Sequence, residues 1–219
     1  MRSRRDIANF IASQPYIMSA LRPVAALGIE DCWIGAGLIR NAIWDHLHGR
    51  AAGAWAQTDV DVVYCDYRDA CLERDLLIEK CLVDQFPPIP WSVHNQARMH
   101  DRNGDPPYRS TEDAIRCWPE TATAIAARVL NDRVEVISPH GIDDLLDMIV
   151  RQAPHSCISC RFIELGWRRR IGRSAGHGCV SPAVDVFLSL GRKSCCCNNF
   201  ASYGWYKRRG EPHRFSCPV

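Results

Sequence analysis

Along the chain, apolar side chains change their spacing in a way that separates helices from strands. Ile7, Phe10, Ile11, Ile17, Met18 and Leu21 recur at helical spacing, broken near Pro15, which predicts two short helices or one interrupted helix. A short apolar run, "CWI", ends at Gly35-Ala36-Gly37. Ile39, Ile43 and Leu47 then repeat every four residues with Trp44 beside them, predicting an amphipathic helix that Gly49 stops. In "DVDVVYCD" the period falls to two, and its β-branched residues predict a strand. Ala70, Leu72, Leu76, Leu77, Cys81 and Leu82 return to helical spacing, and Pro87, Pro88 and Pro90 end that helix.

"WSVHNQARM" reads as another strand and "DRNGDPPYRST" as a polar loop. Ser110 or Thr111 is placed to cap a helix running from Glu112 to about Cys117. The alanine-rich "ETATAIAARVL" predicts a helix, "DRVEVIS" a strand and "GIDDLLDMIVR" a last amphipathic helix. Together these predict a mixed α+β domain of about 150 residues with three or four strands and flanking helices.

Composition divides the chain in two. Residues 1–154 carry 16 Lys/Arg against 22 Asp/Glu, and residues 155–219 carry 11 against 3. Five cysteines fall in the first part and seven in the second. The five (Cys32, Cys65, Cys71, Cys81, Cys117) are scattered and read as small buried hydrophobes kept reduced. No apolar run reaches the roughly 18 residues of a membrane span, and the basic N-terminus lacks an unbroken apolar stretch, so the expected compartment is the cytoplasm.

The "DVD" motif changes the picture. Asp59 and Asp61 are two apart on a strand, so they share one face, with Val60 and Val62 on the other. Adjacent carboxylates repel and lose hydration unless a cation sits between them, and Mg²⁺ takes oxygen ligands from one or two carboxylates plus phosphates. The plainer reading is a strand with polar residues facing solvent. The glycine turn about 22 residues upstream favours the metal, since amides at a helix start suit a polyphosphate that closely approaching glycines admit.

"GAGLIRN" followed by "TDVDVVY" resembles the active-site signature of the polymerase-β-type nucleotidyltransferase superfamily. With "WSVHNQARMHDRNGDPPY", "AIRCWPETATAIAARV" and "VEVISPHGIDDLLDM", the chain resembles a bacterial nucleotidyltransferase-like family over residues 5–154. The resemblance implies a nucleotidyltransferase-like mixed sheet with flanking helices. It implies Asp59 and Asp61 as ligands to one or two Mg²⁺ ions, Gly35 and Gly37 as the phosphate turn, and Arg40 as a triphosphate contact. An exposed helix arginine is the alternative for Arg40.

The superfamily generally adds a third carboxylate on a neighbouring strand. "WSVHNQARM" offers none, although the polar set His94, Asn95, Gln96, Arg98 and His100 suits an acceptor or a base as well as a sheet edge. Glu135 in "RVEVI" is the expected third acid if its strand lies beside the Asp-x-Asp strand. The implied partners are an NTP and an acceptor that is a small molecule, a protein or an RNA, with no membrane. A non-catalytic nucleotide-binding or interaction protein of the same fold is the rival, and a folding-defective product is a second alternative.

Residues 155–219 form a Cys/Arg-rich tail, expected to be irregular and poorly ordered. "CISC" supplies half a zinc site, but Cys195-Cys196-Cys197 cannot all aim at one ion. The abrupt change in charge and patterning points to an altered reading frame, with a basic nucleic-acid-binding tail as a third option.

Overall fold

The computed structural model describes residues 1–50 and 59–154. The tail, with its zinc and reading-frame expectations, lies outside the described residues.

Helix α1 (Arg4–Ala12) opens on a capping box in which Ser3 and Asp6 satisfy each other's backbone amides. Helix α2 (Pro15–Ala26) starts at Pro15, which suits a first helical position and explains the break in the apolar spacing. Strand β1 (Trp33–Gly35) feeds α3 (Gly37–Leu47), and Gly49 adopts φ +64 just past its end. Strand β2 (Val60–Tyr64), α4 (Leu72–Gln85) and β3 (Trp91–Asn95) follow.

The predicted strand "WSVHNQARM" stops early because the Asn95 side chain accepts the Ala97 amide and turns the chain into a 3-10 turn (Gln96–Arg98) and α5 (Met99–Asn103). Helix α6 (Thr111–Arg116) is capped by Ser110, which accepts the Asp113 amide at 3.1 Å.

One predicted element changes class. "ETATAIAARVL" contains strand β4 (Ala126–Leu130), not a helix. Ala126 and Ala127 are fully buried between β1 and β5 (Arg133–Ile137), so packing overrides alanine's helix propensity. The turn from β4 to β5 is Asn131-Asp132, both at positive φ (49° and 58°), as a two-residue hairpin of right-handed strands requires. Helix α7 is shorter than expected, Asp143–Leu146.

Among the described residues the sheet has five strands, where the sequence predicts three or four, in the order β3-β2-β1-β4-β5. Only β2 and β3 are parallel. One face, with Ile34, Val60, Val62, Tyr64, Trp91, Val93 and Ala127, packs into the main core with side chains of α1, α2 and α3. Trp33, Val63 and Ala126 on the other face pack with Ile115, Ala124, Trp118 and Ile137.

Helix α4 closes the β3 edge with carboxylates. Glu79 accepts the Val93 amide at 3.2 Å, and Asp75 accepts the Asn95 amide at 3.0 Å. Asp75 is almost completely buried and also accepts from the Tyr64 hydroxyl (2.6 Å) and the Arg98 guanidinium. Replacing Asp75 with Ala strands three donors and should cost about 3–5 kcal/mol, as for breaking a buried ion pair, measured by urea unfolding.

Candidate active site

The register of β2 assembles the site. Asp61 lies opposite Gly35 of β1 on one side and Ser92 of β3 on the other. Pleating therefore puts Asp61, Ser92 and His94 on one face, while Val60 and Val62 enter the core. Asp59, exposed, precedes the strand two residues before Asp61. Asp61 is only partly open to solvent, and desolvation, reinforced by the Asp59 charge, pushes its carboxyl up to about 7 against the opposing pull of Arg40.

The turn between β1 and α3 is sharp. Its positive φ falls on Ala36 (φ 55°, ψ −123°), a strained conformation for a residue with a side chain. The Ala36 amide donates to the Ile125 carbonyl at 3.1 Å, tying the turn to the segment that leads into β4. Gly37 begins α3, whose N-terminus no side chain caps, so its first amides are placed for an anion. At Gly35 a Cβ would come within 2.6 Å of Trp118 Cη2, so the missing side chain makes room for the indole.

Arg40 is not an exposed helix arginine. It is 4% exposed, and its Nη1 donates to Thr123 Oγ1 (2.6 Å) and reaches Glu120 Oε2 at 3.5 Å. Nε and Nη2 donate to Asn41 Oδ1 at 3.1 and 3.0 Å, and the guanidinium lies 5.0 Å from the Trp44 ring centre. Thr123 completes the set by donating to Glu120 at 2.6 Å. Arg40 thus anchors the 120–123 segment to α3 while its charge still acts on Asp61.

Glu135 does not join the two aspartates. Its strand is the far edge of the sheet, three strands from β2 and therefore roughly 14 Å away at ordinary strand spacing. Glu135 is the direct cross-strand partner of Arg128 and accepts from its Nε at 2.8 Å. Arg128 also stacks on Trp33, 4.2 Å from the ring centre. Two opposed charges on neighbouring strands explain an apolar-flanked glutamate without a metal. Among the described residues, no group of three His, Cys, Asp or Glu side chains is arranged to hold an ion.

Several site residues escaped the sequence reading. Trp118, Glu120 and Thr123 come from "WPETAT", where the helical expectation hid a loop that walls the site. Ser92 is the other: its Oγ lies 3.0 Å from His94 Nε2. The alternation in "WSVHN" carries that signal, because it puts both side chains on the polar face.

Comparison with known proteins bears on the family and the fold. A family model described as nucleotidyltransferase matches residues 22–173, past the Pro154 boundary suggested by composition. A solved NMR structure described as a CCA-adding enzyme head domain is 32% identical, with a TM-score of 0.65, over 77% of this chain and 88% of that one. The Bacillus stearothermophilus CCA-adding enzyme in complex with CTP is 20% identical, with a TM-score of 0.43, over 71% of this chain and 38% of that enzyme. No curated protein matches significantly. The chain belongs to the nucleotidyltransferase family, whose members generally use divalent metal ions. No helix among the described residues is long and apolar enough to cross a membrane.

Two stability predictions follow from the packing and the charge. Gly35→Ala should destabilise the fold by about 1–3 kcal/mol, because the packed indole of Trp118 must move, as a urea titration would show. Asp61 has a folded pKa above its ordinary 3.8, so as pH rises the unfolded chain loses this proton first. Its burial is therefore harmless below about pH 4 and erodes stability as pH rises to about 7, after which the loss is complete. Metal-free Asp61→Asn should accordingly be more stable than wild type above pH 7, and the difference should vanish near pH 4 in pH-resolved melting curves.

Proposed function

We propose that the protein transfers a nucleoside monophosphate from a Mg²⁺-bound NTP to a hydroxyl acceptor. The observation that carries this reading is the register of β2, which sets Asp61 opposite Gly35, two residues before the uncapped start of α3, with Asp59 two residues upstream of Asp61. The donor set fits the ion: two carboxylates offer oxygen alone, and one has a raised pKa that a bound dication would reverse. When bound, Mg²⁺ supplies charge neutralisation at the reacting phosphate and its leaving oxygen.

The chain's own residues do the rest. Asp59 and Asp61 hold the ion, and the first amides of α3 donate to the polyphosphate. Gly37 keeps the entry to that helix open. Arg40, fixed against Thr123 and Glu120, holds the loop wall in place and adds positive potential at the phosphate side. Likeness to a CCA-adding enzyme head domain makes an RNA 3′-hydroxyl the first acceptor to test. A non-catalytic nucleotide-binding role is the second reading, favoured by the absence, among the described residues, of any group of three His, Cys, Asp or Glu arranged to hold an ion.

The test is pyrophosphate release from each NTP with Mg²⁺, in the presence of RNA, protein and small-molecule acceptors. Wild type should turn over and Asp61→Asn should fall by about 100-fold or more, the scale for losing a main electrostatic stabiliser. Excess EDTA should abolish the signal. Equal rates for wild type and Asp61→Asn would exclude catalysis and leave the binding reading.

A further inference from the structure

We propose that Ser92 and His94 form the proton-accepting pair for the attacking hydroxyl, on the side of Asp61 opposite the phosphates. This inference rests on the nucleotidyl-transfer reading and supplies the group that reading lacks. β1, with the α3 N-terminus at its end, lies on one side of Asp61, and β3 lies on the other. In-line displacement needs the attacking and leaving oxygens on opposite sides of the reacting phosphorus. With the pyrophosphate on the β1 side, the acceptor must arrive over β3.

Strand β3 presents a hydroxyl and an imidazole there. Ser92 is the direct cross-strand neighbour of Asp61, and His94, two residues on, directs Nε2 back to Ser92 Oγ at 3.0 Å. Both side chains are half-buried on the site face. Glu135, the carboxylate that could have served, is three strands away and bound to Arg128. Burial, the dominant influence, holds the His94 pKa below its ordinary 6.5, so the ring starts neutral and able to accept. Asp75 and Glu79 of α4 act against that shift, while Arg98 and Arg102 act with it.

The acceptor O–H gives its proton to Ser92 Oγ as the serine proton passes to His94 Nε2. The acceptor oxygen bonds to the α-phosphorus, and the bond from that phosphorus to the bridging oxygen of the leaving pyrophosphate breaks. His94 is left as imidazolium and Ser92 is regenerated as a neutral hydroxyl. Ser92 touches the acceptor, and His94 acts through it.

Four full-length variants test this: Ser92→Ala, His94→Gln, Ser92→Asp, and the double variant Ser92→Asp/His94→Gln. Steady-state pyrophosphate release gives kcat and KM, and direct titration with Mg²⁺ and NTP gives binding independent of turnover. Ser92→Ala and His94→Gln should each lower kcat about 100-fold, the lower end for losing a general base. KM for NTP and the binding titration should stay near wild type. The double variant should recover most of the turnover lost in His94→Gln, because an aspartate at 92 accepts the proton directly. A pair that only packs the edge strand gives no such rescue.

Wild-type kcat in Ser92→Ala or His94→Gln, or a double variant no faster than His94→Gln, overturns the inference while wild-type turnover leaves the proposed function standing. A wild type that binds Mg²⁺ and NTP but never releases pyrophosphate overturns both. Should His94→Gln fail to bind, Ser92→Ala, smaller and at a half-exposed position, carries the same prediction.

Discussion

The register of β2 is the constraint on which the site depends. Val60, Val62 and Tyr64 are fully buried on one face, so a slip by one residue would carry Asp61 into the core and those side chains out of it. The hydrophobic core thus holds a carboxylate where desolvation and the neighbouring Asp59 both disfavour its charge. A structure that keeps such a group at the cost of its own stability has the pattern of a binding site, since a dication would turn the same two carboxylates into a favourable interaction. The apolar half of the strand fixes the geometry, and the polar half stores the mismatch.

Strand β3 matters for a related reason. It is an edge strand, and an open edge is free to slip or to pair wrongly. Helix α4 prevents this with Glu79 and Asp75, which accept the outward amides of Val93 and Asn95. Those amides alternate with the positions of Ser92 and His94, so the buried network around Asp75 holds both side chains in register beside Asp61. Asp66 extends the network: it accepts from Arg68 and Arg74, while the Asn95 side-chain Nδ2 donates to the Asp66 backbone carbonyl. The density of charged hydrogen bonds at this end of the sheet has a structural task.

What the sequence made legible follows from which signals are local. The alternation in "DVDVVY" and the four-residue repeat of α3 are intrinsic to one element, so β2, α3 and the pairing of Asp59 with Asp61 could be read directly. β4 could not, because its alanines favour helix in isolation and become a strand only when β1 and β5 flank them. Missing that strand also hid the hairpin at Asn131-Asp132, and with it the fact that Glu135 lies at the far edge. Arg40 was ambiguous because its partners, Thr123 and Glu120, are about 80 residues away in sequence. Sheet order is a tertiary property, and the assignment of Glu135 hinged on it.

The glycine turn shows how topology changes the meaning of a motif. A strand, a glycine-rich turn and a helix also begin dinucleotide-binding folds, where the helix crosses over to a parallel neighbour. Here β1 and β2 are antiparallel. In a parallel pair the start of β2 would lie at the opposite end of the sheet from the α3 N-terminus, a strand's length away. The antiparallel return sets Asp61, near the start of β2, opposite Gly35, the last residue of β1 before the turn into α3. The two glycines divide the work, with Gly35 yielding space to Trp118 and Gly37 opening the helix, while the strained residue between them is Ala36. The same few residues, folded onto a parallel neighbour, would separate Asp59 and Asp61 from the start of α3.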